Sequence, residues 1–292
     1  MLIYKIKMGS KSSKQSQSSD DKYTYIERGE IESVGILTYF KDHTSNERAI
    51  ELQTTYTISS LTVTHTECDM IASRVGRVSN NCRLIGSEIT SPKTLCFGRN
   101  CLVLRFEIFP HSLYELVEIK TKVSEPELWG IIEDLQIYMS SMMDAGYSCF
   151  NLLPRFIYYH EGRIHVLNFL VFTVFPSVYD VKLLNDNFSC ILAPEASLQY
   201  RMRETEPNYN REKAEMFALG IIVLGLATST SFDSFFDLRS ALFLREVAEL
   251  NLRKMEEVYS SKLTEFVRAC LSETPQDRPF IKRSERNTMQ WA

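Results

Sequence analysis

The run MFALGIIVLGLA, Met216–Ala227, constrains the fold of this chain more than any other stretch. Wound into a helix it is apolar on every side. It would extend only about 18 Å, well short of the ~30 Å hydrocarbon core of a bilayer, and no basic cluster flanks it. The run therefore predicts a helix buried all round at the centre of a water-soluble, helix-rich body. A chain of 292 residues, 44% hydrophobic and 24% charged, has enough material for such a body and for a second part beside it.

The text on either side divides in two. From Tyr23 to Glu107 it is strand-like: SVGILTYF, RAIELQ and CLVLRFE are rich in β-branched and aromatic residues between short polar breaks. One helix is expected near TECDMIASRV, with Met70, Ile71 and Val75 on one face. After IFPHS the character changes. SLYELVEI, SEPELWGIIEDLQIYMSSMMDAG, EKAEMFALGIIVLGLAT, LRSALFLREVAELN and SSKLTEFVRACL all read as helices. The second has Ser124 as its cap, Glu127 three residues on, Pro126 in the first turn and Gly146 at its end. EGRIHVLNFLVF, residues 161–172, reads as a turn followed by an apolar strand. Strands first and helices after predict an α+β chain with a joint near Glu107–Pro110.

Charge and cysteines exclude several trades. A net charge of −4 gives no reason to expect nucleic acid as a partner. The seven cysteines form no CxxC pair, and no His and Cys spacing makes a zinc site. An odd, unpatterned set suits a reducing compartment, and the expected location is the cytoplasm. Residues 1–22 are Ser-rich and expected to be disordered. Within them MGSKSSK resembles an N-myristoylation signal on Gly9, which requires translation to start at Met8. One acyl chain would give weak, reversible association with the cytoplasmic face of a membrane. A plain Ser-rich tail is the alternative.

Several segments, in order, make a pattern. ILAPEASLQY (191–200), the buried run within 213–228, and CLSETPQDRPF (270–280) resemble the alanine-proline-glutamate motif, the central helix and the late Arg-Pro turn of eukaryotic protein kinases. LVLRFEIFPHSLYELV (102–117) is similar to the last strand of the small lobe, the hinge and the first large-lobe helix. GYSCFNLLPRFIYYHEGRIHVLNF (146–169) is similar to the catalytic loop running into the metal-binding motif. The resemblance covers about residues 23–284. It implies a two-lobed fold: a small antiparallel sheet lobe with one main helix (23–107), a larger mainly helical lobe (108–284) and a short tail (285–292). It also implies a hinge at Glu107, Ile108 and Phe109, and a structural ion pair between Glu195 and Arg278. Glu215 stands where the family has an Asp that braces the catalytic loop.

The same alignment implies that the chemistry has been lost. Phosphoryl transfer needs positioned phosphates, metal ions and a carboxylate that orients the hydroxyl. Asn151 stands in place of the base, Phe156 in place of the first metal ligand and Asn168 in place of the metal-binding Asp. Glu51 replaces the phosphate lysine, with Glu67 as its counterpart. In the phosphate-covering loop, ERGEIESV, Gly29 is kept while Glu27 and Glu32 fill glycine positions. Carboxylates there would repel a triphosphate: two like charges ~4 Å apart cost about 4 kcal/mol at an effective dielectric near 20. His165 alternates with Ile164 and Val166 as a strand-face residue. Phe106, Phe156, Phe169 and Leu170 are expected to fill part of the nucleotide cleft; an ordinary strand over FLVFTVF (169–175) is the alternative. The resemblance thus implies a catalytically inactive kinase homologue, a pseudokinase, that acts as a signalling scaffold or allosteric partner. Its partners would be proteins, an active kinase among them, and it would need no ATP, magnesium or other cofactor. Two alternatives stay open. One is an atypical ATP- and magnesium-dependent kinase with relocated residues, and the other is a nucleotide sensor that works without metal.

Overall fold

The computed structural model describes residues 23–31, 35–42, 48–55, 70–71, 73–74, 76–90, 101–172, 177–186, 188–237 and 239–282. The protein is α+β, with antiparallel sheets. It divides into two compact units: residues 1–70 with 83–108, and residues 71–82 with 109–292.

The first unit is a five-stranded antiparallel sheet in the order β1-β2-β3-β5-β4. Its strands are β1 (Tyr23–Ile31), β2 (Gly35–Asp42), β3 (Arg48–Thr55), β4 (Leu84–Thr90) and β5 (Cys101–Ile108). Strand alternation sorts the residues of β5. Leu104, Phe106 and Ile108 are buried, whereas Arg105 between them is exposed. Phe106 lies opposite Ile50, which is also buried, and Arg105 lies opposite Glu51. Cross-strand pairing therefore places apolar side chains together on one face and opposite charges together on the other.

The second unit is mainly helical. Its helices are α1 (Leu113–Glu118), α2 (Glu125–Asp144), α3 (Val178–Leu184), α4 (Pro194–Arg201), α5 (Arg211–Thr228), α6 (Arg245–Glu256) and α7 (Ser261–Cys270). Two small hairpins complete it: β6 (Ile157–His160) with β7 (Arg163–Val166), and β8 (Phe236–Asp237) with β9 (Leu242–Phe243). Helix α2 starts where the sequence sets its cap. The Glu127 carboxylate accepts from Ser124 N at 2.8 Å and from Ser124 Oγ at 2.6 Å. Gly146 follows the helix at φ 85°, a left-handed conformation that glycine adopts without strain.

Helix α5 contains the apolar run, and every residue from Met216 to Leu226 is buried. The two glycines in the run allow close approach. A Cβ on Gly220 would lie 2.8 Å from Cys270 Cβ, and one on Gly225 would lie 2.5 Å from the Phe232 ring. The core packs around this helix, with Leu135, Tyr138 and Met142 from α2 and Leu263 and Val267 from α7. Among the described residues no helix is long and apolar enough to cross a membrane.

Three segments depart from the sequence expectation. Residues 71–82 fold with the helical unit: Val78 joins its core, Asn80 Nδ2 donates to Asp134 O at 3.0 Å, and Cys82 N donates to Val166 O at 2.9 Å. The helix expected over 238–251 begins only at Arg245, because β8 and β9 form a hairpin first. Asp237 closes that hairpin by accepting from Ser240 N and Oγ, both at 2.8 Å. The strand expected over 163–172 stops at Val166, and Phe169–Phe172 is a 3-10 turn. Met70, Ile71, Ser73 and Arg74 are helical; Val75 lies outside the described residues.

Candidate functional site

The loop between α2 and β6 carries Asn151 at φ 57°, a left-handed conformation that Asn tolerates better than most residues. Its backbone is braced from α5. Glu215 Oε1 accepts from Phe150 N at 3.1 Å and from Asn151 N at 3.2 Å. The extra methylene that Glu has over Asp still delivers a carboxylate to two adjacent amides. Burial pushes the Glu215 carboxyl above the usual carboxylate range, opposed by the backbone donors of Phe150, Asn151 and Leu152.

Asn168 follows β7 and reaches the same loop. Asn151 Nδ2 donates to Asn168 Oδ1 at 3.0 Å, and both residues are buried. Asn168 Nδ2 in turn donates to Tyr138 Oη at 2.9 Å and to Phe150 O at 3.2 Å. The Tyr138 hydroxyl donates to Phe150 O at 3.1 Å. On the far side, Asn151 Oδ1 accepts from Val178 N at the start of α3, at 3.1 Å. The directions are mutually consistent, since turning the Asn168 amide over would set its oxygen against the Phe150 carbonyl. Two side-chain amides thus join the loop, the end of the β6–β7 hairpin and the start of α3 through neutral hydrogen bonds. Burial raises the Tyr138 phenol above its ordinary range, which keeps it protonated and able to donate.

Phe156 ends a 3-10 turn, Pro154–Phe156, and meets Phe169 edge-on with ring centroids 4.8 Å apart. Phe156, Phe169 and Leu170 are all buried in the second unit, while Phe106 is buried in the first. His165 lies on β7 with its ring stacked on Phe109 at 3.9 Å, and His160 stacks on the same ring at 5.0 Å. The structure brings together Asn151 and Asn168, and also Phe156 and Phe169.

These residues do not fit a magnesium ion. A hard divalent cation takes several oxygen ligands, charged ones by preference, in octahedral geometry. Here each amide oxygen accepts a hydrogen bond from within the network, and Phe156 has no oxygen to offer. Among the described residues no cluster of three or more His, Cys, Asp or Glu side chains could hold a metal ion.

In the first unit Glu51 Oε2 accepts from Arg105 Nε at 2.8 Å, an ion pair across the sheet between β3 and β5. Glu27 and Gly29 lie on β1, opposite Tyr39 and Leu37. At the end of β5, Glu107 pairs with Arg83 at 3.1 Å and Ile108 is buried. Glu32, Glu67 and Gly9 lie outside the described residues.

The Arg278 guanidinium is fully buried and grips Glu195 through two bonds, of 2.7 and 2.8 Å. It also donates to Ser272 O at 2.7 Å and to Lys213 O at 2.9 Å. Lys213 is itself buried, donates to Arg278 O and lies over the Phe280 ring at 3.3 Å.

Sequence reading missed Tyr138 and Lys213. The signal for Tyr138 was present: a Tyr among Leu135, Met139 and Met142 on a buried helix face must find a partner for its hydroxyl. Lys213 gave none, because a lysine three residues before an apolar run reads as solvated.

Compared with known proteins, the chain matches no family model and no curated protein.

Proposed function

We propose that this protein is a catalytically inactive relative of the eukaryotic protein kinases that works by binding other proteins, as a signalling scaffold or allosteric partner. In this reading the sheet unit and the helical unit are the two lobes of a kinase-like fold. The order of the aligned segments supports it, as does the Glu195–Arg278 grip that ties the end of the aligned activation segment to a distant turn.

The observation that carries the inactive assignment is the 3.0 Å bond between the Asn151 and Asn168 amides. Under the resemblance these positions belong to the base and to a metal-binding carboxylate. A carboxamide cannot take the proton of an attacking hydroxyl. Two amides bonded to each other close without help, where two carboxylates would require a cation or a shared proton. Glu51 adds an anion where phosphate would need a cation.

The test is a thermal-shift titration with ATP, alone and with magnesium or manganese. No metal-dependent rise in melting temperature is expected. Such a rise, followed by phosphoryl transfer that disappears when one named carboxylate is changed, would overturn the reading.

A further inference from the structure

The chain enters the helical unit at Phe109, one residue past the end of β5, and then runs along β6. Tyr159 N donates to His111 O at 2.9 Å, and Ser112 pairs with Tyr158 in an antiparallel bridge. The β6–β7 hairpin beside this segment has two unlike faces, because strand residues alternate and residues directly opposite share a face. Ile157, Ile164 and Val166 belong to the main core. Tyr158 lies opposite His165, and His160 lies opposite Arg163, so these four side chains share the other face.

Phe109 packs against both imidazoles of that face. Its ring centroid lies 3.9 Å from that of His165 with 27° between the planes, and 5.0 Å from that of His160 with 26° between them. Each imidazole therefore meets the phenyl ring in a stack rather than by an edge. While neutral, such a stack is held by packing alone. A protonated imidazole against the same ring is a cation on the negative face of the ring quadrupole, and it is held more firmly. Histidine is the side chain that makes this change between about pH 5 and pH 8.

The charged and titratable neighbours come from several elements. Glu161, in the hairpin turn, lies 3.7 Å from His160 Nε2. Arg163, opposite His160, is held by Asp134 of α2 at 2.9 Å and by Asn80 at 3.2 Å. Tyr158 lies opposite His165, and the Glu115 carboxylate of α1 is engaged by Ser112 N at 2.8 Å. His111 follows two residues after Phe109. Two imidazolium charges on one phenyl ring repel, so the pair takes up protons in coupled steps.

We propose that His160 and His165 form a proton-operated clamp on Phe109. As pH falls the imidazoles gain charge and grip the ring harder, fixing the residue at which the chain enters the helical unit. The phenyl face favours the charged imidazole, so the stability it adds is present at low pH and is lost as pH rises.

Histidine-selective 13C labelling of the full chain tests this, because with five histidines each ring can be titrated separately by NMR. His160→Gln and His165→Gln assign the two signals. Phe109 is only partly buried, and Phe109→Leu keeps an apolar cover while removing the ring face; Phe109→Met repeats the comparison with a longer side chain. Either change should lower the His165 titration midpoint by about half a pH unit, with a smaller drop at His160, whose ring is farther away. Phe109→Tyr keeps the ring and should leave both midpoints in place. The melting-temperature deficit of Phe109→Leu against the parent should be larger at pH 5 than at pH 8. The proposal is overturned if the His165 midpoint in Phe109→Leu and Phe109→Met matches or exceeds that of the parent, or if the deficit is equal at the two pH values. It is also overturned if Glu161→Gln moves the His165 midpoint as far as Phe109→Leu does, which would assign the effect to the carboxylate.

Discussion

Replacing Asn168 by Asp is the smallest change that would put an acid beside the Asn151 loop, and the network predicts that it is harmful. Asn168 makes three hydrogen bonds: it accepts from Asn151 and donates to Tyr138 and Phe150 O. Asn168→Asp keeps the first and loses both donors, setting a carboxylate oxygen against the Phe150 carbonyl. The Tyr138 hydroxyl could swing to the new acid, but Phe150 O would then lose its remaining donor. Leaving a buried acceptor unpaired costs about 1–3 kcal/mol. A buried charge without a partner raises the total to about 3–5 kcal/mol. The melting temperature should fall by roughly 10 °C. The loss should be larger at pH 8 than at pH 5. Burial raises the pKa of the new acid, and its protonated form can donate one of the missing bonds. Scanning calorimetry of parent and variant at both pH values, with and without magnesium, measures this. A variant as stable as the parent at pH 8, or one that magnesium rescues, would refute the neutral-network argument.

Other expectations come from the same contacts. Glu195→Gln should destabilise the protein by about 3–5 kcal/mol, because it strands a fully buried Arg278 without its anion; denaturant titration reads this directly. Tyr138→Phe removes one donor and one acceptor from the network and should cost about 1–2 kcal/mol in the same assay. Gly220→Ala should cost at least ~1–3 kcal/mol through overpacking, because the new methyl would lie 2.8 Å from Cys270 Cβ. Glu215 has a folded-state pKa raised above its ordinary value of 4.5, so its contribution is fully favourable below that pH and is lost as pH rises through the folded value. Glu215→Gln keeps an acceptor for Phe150 N and Asn151 N, so its melting temperature should gain on the parent between pH 4 and pH 8.

Periodicity and caps made much of the architecture legible. The apolar run gave the central helix, and Ser124, Pro126 and Glu127 gave the start of α2, because both signals are local. What failed depended on tertiary partners. The strand expected through Phe172 stops at Val166; from there the chain turns so that Asn168 meets Asn151 and Phe169 meets Phe156. The helix expected from Leu238 gives way to a hairpin because Asp237 caps the turn through Ser240. At the candidate site, the sequence singled out Asn151, Phe156 and Asn168 one by one. Their mutual bonding was not legible, since it joins residues far apart in the chain through a tyrosine hydroxyl that no short motif marks.

The paired amides also bear on how the protein responds to its surroundings. A joint made of two carboxylates tightens or loosens with the supply of divalent ions, and so links a protein's shape to the nucleotide and metal content of the cell. A joint made of carboxamides closes through its own hydrogen bonds and brings no charge for such an ion to bridge.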